Sequence, residues 1–250
     1  MTNKLISKAV EYCPDWLFAE VYTRYNKRGI KIKRNHSGWE MKGDGFSLLS
    51  STSKFTSASM KEFEDKFERY FKIGKGDTCL DVGACIGDTT IPMCIKTGKG
   101  GFVYVVEPNH SNVRYLQFNL DEFKNTKIFE LAVWKEKGHL IFHEHHTPTG
   151  HSLIPLSLRK KKTIVVTNTI DELFKGIVFD YAKIDVQSAE VEVLQGATEF
   201  LKTTRKLIVG CHHSYKNELH DTSDEVKQII SKYYSNMEYL KEYNHVYAWR

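Results

Sequence analysis

Two short segments of the sequence each end in an acidic residue and a turn, and together they can bind a nucleoside. The first reads TCLDVGACIGDTT, with Asp81 closing an apolar run and Gly83 and Gly87 in the loop that follows. The second reads VYVVEPN and places Glu107 at the tip of the next apolar run. A glycine loop lets a ligand approach the backbone closely, and a carboxylate after the second strand can accept hydrogen bonds from ribose hydroxyls. The pair therefore predicts a cofactor that contains a nucleoside.

Glycine spacing and charge separate two classes of such cofactors. A dinucleotide site is expected to read G-x-G-x-x-G, with its pyrophosphate at the N-terminus of the next helix. Here the loop reads G-x-x-x-G and is followed by Asp88, which would repel a pyrophosphate but not the cationic sulfonium of S-adenosylmethionine. Asp88 can also be only the N-cap of a helix that begins at Thr89, and both interpretations can hold together. The loop favours S-adenosylmethionine over NAD.

A second set of polar residues follows two later apolar runs. Asp185 ends the run YAKID, and His212 and His213 follow the run KLIVGC. The carboxyl ends of parallel strands meet at one edge of a sheet, so we expect Asp185 and the histidines to lie close together. Asp185 can orient an acceptor, act as a base, contact the cofactor's amino group or cap the next helix. Either histidine can accept a proton near neutral pH, hold a divalent cation together with Asp185, or only pack. We assign Asp185 and His212 to catalysis and His213 to substrate binding, and we predict no metal.

Composition sets the broad class of the protein. The chain has 250 residues, of which 41% are hydrophobic and 27% charged, and its formal net charge is +5. This length suits one α/β domain with a small N-terminal cap, and so small and scattered a charge argues against a nucleic-acid partner. No apolar run reaches the length of a membrane span, and the first residues lack a signal-peptide core. The cysteines form no C-x-x-C pair and are expected to be buried and reduced, which predicts a cytoplasmic location. The oligomeric state is not indicated.

The elements that must position these residues alternate between strands and helices from residue 74 onward. Strands are predicted at residues 79–82, 102–106, 127–133, 181–186 and 206–211, and helices at residues 57–71, 88–96, 111–123, 189–201 and 223–234. Antiparallel pairs are predicted at 138–142 with 162–167 and at 237–241 with 245–249. Repeated strand–helix units imply a parallel sheet that is covered on both faces. Residues 1–55 are mixed, with a predicted helix at 5–12 and a strand within 27–34.

Several further motifs follow one another between residues 74 and 213, and together they resemble a known family. In chain order they are DVGACIG, VEPN, LAV, NTIDEL, KIDVQSAE and VLQGA. Their order is similar to that of the FkbM-type S-adenosylmethionine-dependent methyltransferases. The resemblance implies an α/β class I methyltransferase (Rossmann-like) fold with a seven-stranded, mostly parallel sheet, helices on both faces and a C-terminal antiparallel hairpin. It also implies O-methylation, often of a hydroxyl on a sugar or natural product.

The resemblance also implies roles for individual residues. The residues expected at the cofactor are Asp81, Gly83, Ala84 and Gly87 on its methionine and adenosine side, Glu107 at the ribose, and Asn109 and Ala132 near the adenine. Ser152 lies in a short His-Ser-Leu element similar to one in the family and is expected to bind substrate.

The sequence departs from the family at two places on the acceptor side. Gln187 and Ser188 stand where the family usually has Glu-Gly, and Gly210 stands where a glutamate is frequent. These departures leave the cofactor motifs intact. They keep open the alternative of a cofactor-binding protein that has lost its acceptor chemistry.

The sequence thus predicts an S-adenosylmethionine-dependent O-methyltransferase whose acceptor is a hydroxyl of a small molecule or a glycan. Residues 1–55 are predicted to form a cap or lid, and residues 56–250 the methyltransferase domain. A nucleic-acid 2′-O-methyltransferase stays open, although a broader basic face would then be expected. Amino-directed and cytosine-C5-directed nucleic-acid enzymes are disfavoured because the chain has no Pro-Pro pair and no Pro-Cys pair. An NAD-dependent oxidoreductase is disfavoured by the missing glycine and by Asp88.

Overall fold

The computed structural model describes residues 14–25, 30–43, 45–53, 59–144, 151–154, 161–214 and 220–250. The helices are α1 (Asp15–Tyr25), α2 (Met60–Phe67), α3 (Thr90–Thr97), α4 (His110–Asn119), α5 (Ile170–Leu173), α6 (Glu190–Gln195), α7 (Thr198–Thr203) and α8 (Ser223–Ile230). The strands are β1 (Lys31–Asn35), β2 (Gly38–Lys42), β3 (Ser47–Ser50), β4 (Thr78–Val82), β5 (Phe102–Val106), β6 (Thr126–Phe129), β7 (Ala132–Val133), β8 (Gly138–Glu144), β9 (Lys161–Asn168), β10 (Tyr181–Ile184), β11 (Lys206–Gly210), β12 (His213–Ser214), β13 (His220–Asp221), β14 (Asn236–Leu240) and β15 (His245–Trp249). The helix predicted at residues 5–12 lies outside the described residues.

The central sheet has seven strands in the order β14-β15-β11-β10-β4-β5-β6. Strands β11, β10, β4, β5 and β6 pair in parallel with their neighbours, and β15 runs antiparallel to both β11 and β14. The loops that follow β5, β4, β10 and β11 therefore leave the same edge of the sheet side by side. The predicted seven-stranded, mostly parallel sheet with a C-terminal antiparallel hairpin is confirmed.

Helices cover both faces of the sheet because successive strand residues point to opposite sides. Cys79 of β4 packs into a core with Phe63 and Phe67 of α2 and Met93 of α3. Leu80, the next residue of β4, packs into the opposite core. That second core is supplied by residues of α5 to α8, including Ile170, Val193, Leu194, Phe200, Leu201, Val226 and Ile230. The buried side chains on both faces fix the strand register on which the loops depend.

The N-terminal part forms a small antiparallel sheet in the order β1-β2-β3. Its buried residues Ile32, Met41 and Leu48 belong to the same core as α2 and α3. Asn119, the last residue of α4, fixes this sheet. Its Oδ1 accepts the Leu49 N–H at 2.8 Å, and its Nδ2 donates to the carbonyls of Leu49 at 3.0 Å and Ile86 at 2.8 Å. Asn119 thus joins β3 to the loop that follows β4, while the role of residues 1–55 as a cap stays a prediction.

Two of the predicted elements each correspond to two shorter elements in the structure. The strand predicted at 127–133 is divided into β6, at the edge of the central sheet, and β7, which joins β9 and β8 in a second sheet. The helix predicted at 189–201 is divided into α6 and α7 on either side of Gly196. A Cβ at Gly196 would lie 2.5 Å from the Trp134 carbonyl oxygen, so two backbone segments meet there and the chain bends.

The predicted antiparallel pair and the predicted state of the cysteines are confirmed. β8 and β9 form the predicted antiparallel pair, from Gly138↔Thr167 to Glu144↔Lys161. Cys79, Cys85, Cys94 and Cys211 are buried and free of disulfides, as predicted. Within the described ranges, none of the helices combines the length and the apolar character needed to cross a membrane.

Candidate active site

A cavity of about 270 Å³ lies at the carboxyl edge of the central sheet. Its walls include α2, the loops after β4, β5, β10 and β11, and parts of the second sheet. The polar or loop residues that line it and matter here are Gly83, Cys85, Asp88, Glu107, Asp185, Gln187 and His212, with Ala132 as an apolar neighbour. This volume is close to the lower end, roughly 300 Å³, of the range of small-molecule pockets.

The loop after β4 brings three strands together because Gly83 has no side chain. Gly83 adopts φ +77°, and a Cβ on it would lie 2.0 Å from the carbonyl oxygen of Asp185. The N–H groups of Gly83 and Ala84 both donate to the carbonyl of Val106, at 2.9 and 3.2 Å. Gly87, at φ +101°, closes the turn by donating to the Ala84 carbonyl at 2.9 Å. The loop is therefore pressed against the ends of β5 and β10.

Asp81 stabilises this loop from behind the cavity wall. Its Oδ2 accepts the hydroxyls of Thr89 and Thr90, each at 2.7 Å, and its Oδ1 lies 3.1 Å from Lys183 Nζ. Asp81 is fully buried, and it is not among the described residues that line the cavity. These bonds join β4, the start of α3 and β10, and a direct contact of Asp81 with the cofactor stays a prediction.

Glu107 has the position predicted for the ribose-binding carboxylate. Its Oε2 accepts the Cys85 N–H at 2.8 Å, and its Oε1 accepts the Asn109 N–H at 2.9 Å and lies 3.4 Å from Asn112 Nδ2. Glu107 is buried but lines the cavity. Burial raises the pKa of Glu107 to about 7, although the bonds from Asn109, Cys85 and Asn112 and the charge of Lys183 oppose the rise.

Asp88 lines the cavity, and its predicted role as an N-cap is wrong. The N-cap of α3 is Thr89, which has helical dihedral angles and makes no capping bond with its side chain. The Thr89 hydroxyl is bonded to Asp81 instead. Burial raises the pKa of Asp88 to about 7, with Lys183 opposing the rise and Asp81 adding to it. A second carboxylate therefore faces the cavity beside the glycine loop.

Asp185 follows β10 directly and faces the cavity. Burial favours its neutral form, but Lys183, His212 and His245 outweigh this and hold the pKa of Asp185 well below its usual range. Burial of Lys183 would lower its pKa, but the charges of Asp81, Asp185 and Asp88 outweigh burial and raise it. Asp185 is thus an anion at neutral pH.

His212 is held between two carboxylates and an amide. Its Nδ1 lies 2.8 Å from Glu190 Oε1, and its Nε2 lies 3.5 Å from Asp185 Oδ1 and 3.1 Å from Gln187 Nε2. Gln187 Nε2 also donates to Asp185 Oδ1 at 3.2 Å. Burial would lower the pKa of His212, but Glu190 and Asp185 outweigh it and raise the pKa to about 9.

Of the two residues predicted to bind substrate, the structure describes the side chain of Ser152 but not that of His213. The Ser152 hydroxyl donates to the Gln187 carbonyl at 2.6 Å and accepts the Ile154 N–H at 3.0 Å. Ser152 is buried and is not among the described lining residues, although its neighbours His151 and Leu153 are. The backbone of His213 begins β12, and its side chain lies outside the described part of the structure. Its role in binding stays a prediction.

Asp185, Glu190 and His212 also form a group that could hold a cation. Each offers one ligand atom, and these atoms lie within 4.8 Å of one another. However, Glu190 Oε1 already accepts from His212 and from the amides of Val186 and Ser188. Gln187 satisfies the facing atoms of Asp185 and His212. Glu190 Oε2, by contrast, is buried and has no hydrogen-bond partner among the described residues. The expectation that no metal is bound therefore stays a prediction.

Some of the predicted site residues line the cavity, and others are not among its described lining residues. Gly83, Glu107, Ala132, Asp185 and His212 line it. Asp81, Ala84, Gly87 and Asn109 are not among its described lining residues. Asn109 is instead the N-cap of α4, where its Oδ1 accepts the Asn112 N–H at 3.0 Å. The sequence reasoning assigned no role to Cys85, Lys183 and Glu190. A positive φ of 53° at Cys85, beside Gly83, has no signal in the sequence.

The chain belongs to the FkbM family, because the family model described as the methyltransferase FkbM domain matches residues 81–243, well over half of its length. The protein is an S-adenosylmethionine-dependent methyltransferase, and S-adenosylmethionine is its cofactor.

Solved structures resemble the chain at low sequence identity. An S-adenosylmethionine-dependent methyltransferase from Aquifex aeolicus is 18% identical, with 76% of this chain and 86% of that chain covered and a TM-score of 0.43. The fibrillarin of Aeropyrum pernix, in complex with natively bound S-adenosyl-L-methionine, is 12% identical, with 88% and 98% covered and a TM-score of 0.47. Because both scores are below 0.5, neither an acceptor nor a mechanism is taken from them. Among curated proteins, none matches the chain.

Proposed function

We propose that this methyltransferase transfers the methyl group of S-adenosylmethionine to a hydroxyl oxygen of a small molecule or a glycan. The observation that carries the proposal is that one cavity is lined by two polar groups of different chemistry. Glu107 and the glycine loop face it from the β5 side, and Asp185, Gln187 and His212 face it from the side of β10 and β11. The first group suits a nucleoside, and the second can hold a hydroxyl and accept its proton.

The β5 side fits the nucleoside part of the cofactor. A carboxylate has about four acceptor positions, and the two amides and Asn112 use three of those on Glu107, so capacity for a ribose hydroxyl is left. Gly83 leaves the backbone open, and Ala132 offers an apolar wall. We therefore assign Gly83, Glu107 and Ala132 to cofactor binding. Asp81, Ala84, Gly87 and Asn109 contribute by holding the two loops in place.

Negative charge around the cavity fits the other part of the cofactor. S-adenosylmethionine supplies an electrophilic methyl group on a positively charged sulfur. Asp88 lies beside the glycine loop and Asp185 beside Gly83, so both carboxylates favour a cation there. The same two groups would repel the pyrophosphate of a dinucleotide. The cavity is also lined by Lys66 and Lys183, so it is the position of Asp88 beside the glycine loop that supports the preference for S-adenosylmethionine over NAD.

Asp185 and His212 are the residues that would act on the acceptor. Methyl transfer requires the hydroxyl oxygen to lie in line with the bond between methyl carbon and sulfur, and the hydroxyl to lose its proton. Asp185 accepts a hydrogen bond from the hydroxyl and so orients it. Bound S-adenosylmethionine would supply the methyl group, and His212 in its neutral form would take the hydroxyl proton on Nε2. The products are a methyl ether and S-adenosylhomocysteine.

The charge, the cysteines and the N-terminal residues of the chain support further parts of the proposal. The formal charge of +5 is small for a protein that binds a nucleic-acid backbone, which supports a small-molecule or glycan acceptor. The buried, free cysteines at 79, 85, 94 and 211 suit a reducing compartment and support a cytoplasmic location. Residues 1–55 are proposed to cap the domain formed by residues 56–250, since β1 to β3 share a core with α2 and α3.

The proposal is tested by a screen for acceptors. The protein is incubated with S-adenosylmethionine and with panels of monosaccharides, oligosaccharides, small alcohols and phenols, amines, and short RNAs. Formation of S-adenosylhomocysteine and of a product heavier by one CH₂ is followed by mass spectrometry. We expect methyl ethers from members of the hydroxylated panels and no product from the amines.

Two variants make the screen specific to the cavity. Glu107→Gln is expected to abolish turnover, and Glu122→Gln, which changes an exposed glutamate just after the end of α4, is expected to leave it unchanged. Methylation of RNA alone, or of amines alone, would contradict the proposed acceptor class. Turnover that survives Glu107→Gln would contradict the proposed cavity.

A further inference from the structure

We propose that Glu190 is the positioning residue that makes His212 the proton acceptor of the reaction. The inference rests on the proposed O-methylation and adds a residue that does not touch the reactants. Glu190 is the first residue of α6, is fully buried and is not among the described residues that line the cavity. It acts through His212, which does line the cavity.

The contacts of Glu190 fix the orientation of the imidazole ring. Its Oε1 lies 2.8 Å from Nδ1 of His212, so this nitrogen carries the proton and donates to the carboxylate. Once the Gln187 amide moves aside, Nε2 is the nitrogen whose lone pair can take a proton in the neutral ring. It points toward Asp185 and Gln187, which both line the cavity. A free imidazole has no such preference imposed on it, so Glu190 selects the tautomer that can accept a proton from the cavity.

Glu190 also holds the turn that carries Gln187. Its Oε1 accepts the amides of Val186 at 3.2 Å and Ser188 at 3.3 Å. Gln187 and Ser188 both have positive φ, 57° and 86°, which is costly for residues other than glycine. Ser152 adds a bond to the Gln187 carbonyl. Glu190 therefore orients both partners of the contact between His212 and Gln187.

Gln187 is suited to a histidine that gains and loses a proton. Its amide nitrogen lies 3.1 Å from Nε2 of His212 and donates to the neutral ring. Rotation of the amide by half a turn exchanges its nitrogen and oxygen, so the carbonyl oxygen can accept from the protonated ring. A glutamate at this position would hold the ring protonated by its charge. The amide can therefore bond either state of His212, but the rotated amide gives up the bond from its own Nε2 to Asp185 Oδ1.

Because Gly210 has no side chain, there is room beside it for the imidazole of His212. A Cβ on Gly210 would lie 3.0 Å from Cε1 of His212 and 3.4 Å from Cγ and Oδ1 of Asp185. The first distance is tighter than ordinary contact, so any larger residue at 210 would displace the imidazole. The two departures of this chain from the family pattern, at 187 and 210, thus both border His212.

Titratable groups from four elements face His212. Glu190 of α6 and Asp185 after β10 favour the imidazolium form, and Lys66 of α2 disfavours it. His245 of β15 is a further neighbour, but burial lowers the pKa of His245 to about 4 and keeps it neutral. The carboxylates prevail, and the pKa of His212 is raised to about 9. Methyl transfer should therefore accelerate as pH rises toward 9, since only the neutral ring accepts the proton.

The experiment is a histidine titration by NMR on the full chain, with ¹⁵N-labelled histidine and bound S-adenosylhomocysteine. The His212 signal is assigned by its loss in His212→Gln. We expect a wild-type pKa near 9, and the neutral ring protonated on Nδ1. In Glu190→Gln, which keeps an oxygen for the amides of Val186 and Ser188 but removes the charge, the pKa should fall by at least about one unit. Glu192→Gln, in the same helix, should leave it unchanged.

Either of two results would overturn the inference: an unchanged His212 pKa in Glu190→Gln, or a neutral wild-type ring protonated on Nε2. The second result needs no variant, so the test stands even if Glu190→Gln fails to fold. The titration requires no acceptor and no turnover, and it therefore separates this inference from the proposed O-methylation. With an acceptor from the screen, the midpoint of the pH–rate profile should move to lower pH in Glu190→Gln. A purely structural role would reduce the rate at every pH without moving the midpoint.

Discussion

Replacement of Gly83 by alanine tests the close approach on which the cavity depends. Gly83 has φ +77°, and a Cβ added to it would lie 2.0 Å from the carbonyl oxygen of Asp185. Both groups belong to backbone, so neither can move aside by a change of side-chain rotamer. Gly76 provides a matched control, because it has φ +88° and nothing within 4 Å of a Cβ.

The expected loss in the free energy of unfolding differs between the two substitutions. A left-handed conformation costs an alanine about 1–2 kcal/mol, and both variants bear this cost. In Gly83→Ala the new Cβ and the Asp185 oxygen must also separate by about 1.4 Å to reach the 3.4 Å of ordinary contact. Overpacking of this kind adds about 1–3 kcal/mol. We expect Gly83→Ala to lower the free energy of unfolding by about 1–3 kcal/mol more than Gly76→Ala.

Urea unfolding followed by circular dichroism measures both variants, and titration with S-adenosylhomocysteine measures the cavity. Gly83→Ala should also weaken cofactor binding, because the loop that carries Cys85 must shift, whereas Gly76→Ala should bind normally. Equal loss of stability in the two variants would refute the reasoning, since it would mean that the approach of Gly83 to Asp185 is not tight. Normal cofactor affinity in a folded but destabilised Gly83→Ala would refute the link between the loop and the cavity.

Two further predictions concern buried charges. The pKa values of Glu107 and Asp88 are raised to about 7, so both carboxylates lose their charge as pH falls through this value. The Kd of S-adenosylhomocysteine should therefore rise as pH falls below 7, approaching about tenfold per pH unit for each carboxylate whose charge is needed for binding. In calorimetric titrations, an affinity that is flat from pH 8 to pH 5.5 would contradict the assigned contacts. Lys183 Nζ and Asp81 Oδ1 lie 3.1 Å apart with both side chains buried, so Lys183→Met should cost about 3–5 kcal/mol of stability by leaving a buried carboxylate without its cation. Adding Asp81→Asn to Lys183→Met should recover part of this loss in urea unfolding, and a further loss of the same size would show that the two groups do not interact.

The cofactor side of the site could be predicted from sequence because its signals are local. The glycines of the loop, Glu107 at a strand tip and the spacing between them all lie within residues 81–109, and each follows a strand that the apolar pattern identifies. The order of strands and helices was predictable for the same reason. The sheet fixed by these elements then brings Asp185 and His212 to one cavity, as the rule for parallel strands predicts.

The remaining features depend on contacts that no local pattern encodes. Asp81 was expected to face a cofactor, but it pairs with Lys183, 102 positions away in the sequence. Glu190 bonds His212 across 22 positions, and although it ends the KIDVQSAE motif, nothing in that motif indicates this partner. The break between α6 and α7 depends on the approach of the Trp134 carbonyl to Gly196, which only the packed structure shows.

Titration calorimetry tests the central claim most directly, namely that Glu107 and the glycine loop form the site for S-adenosylmethionine. The wild type, Glu107→Gln and the exposed control Glu122→Gln are titrated with S-adenosylmethionine, S-adenosylhomocysteine and NAD, after circular dichroism shows that each is folded. We expect micromolar binding of both sulfur compounds by the wild type and Glu122→Gln, loss of this binding in Glu107→Gln, and no binding of NAD. Failure of the folded wild type to bind either sulfur compound, or equal binding by Glu107→Gln, would contradict the account.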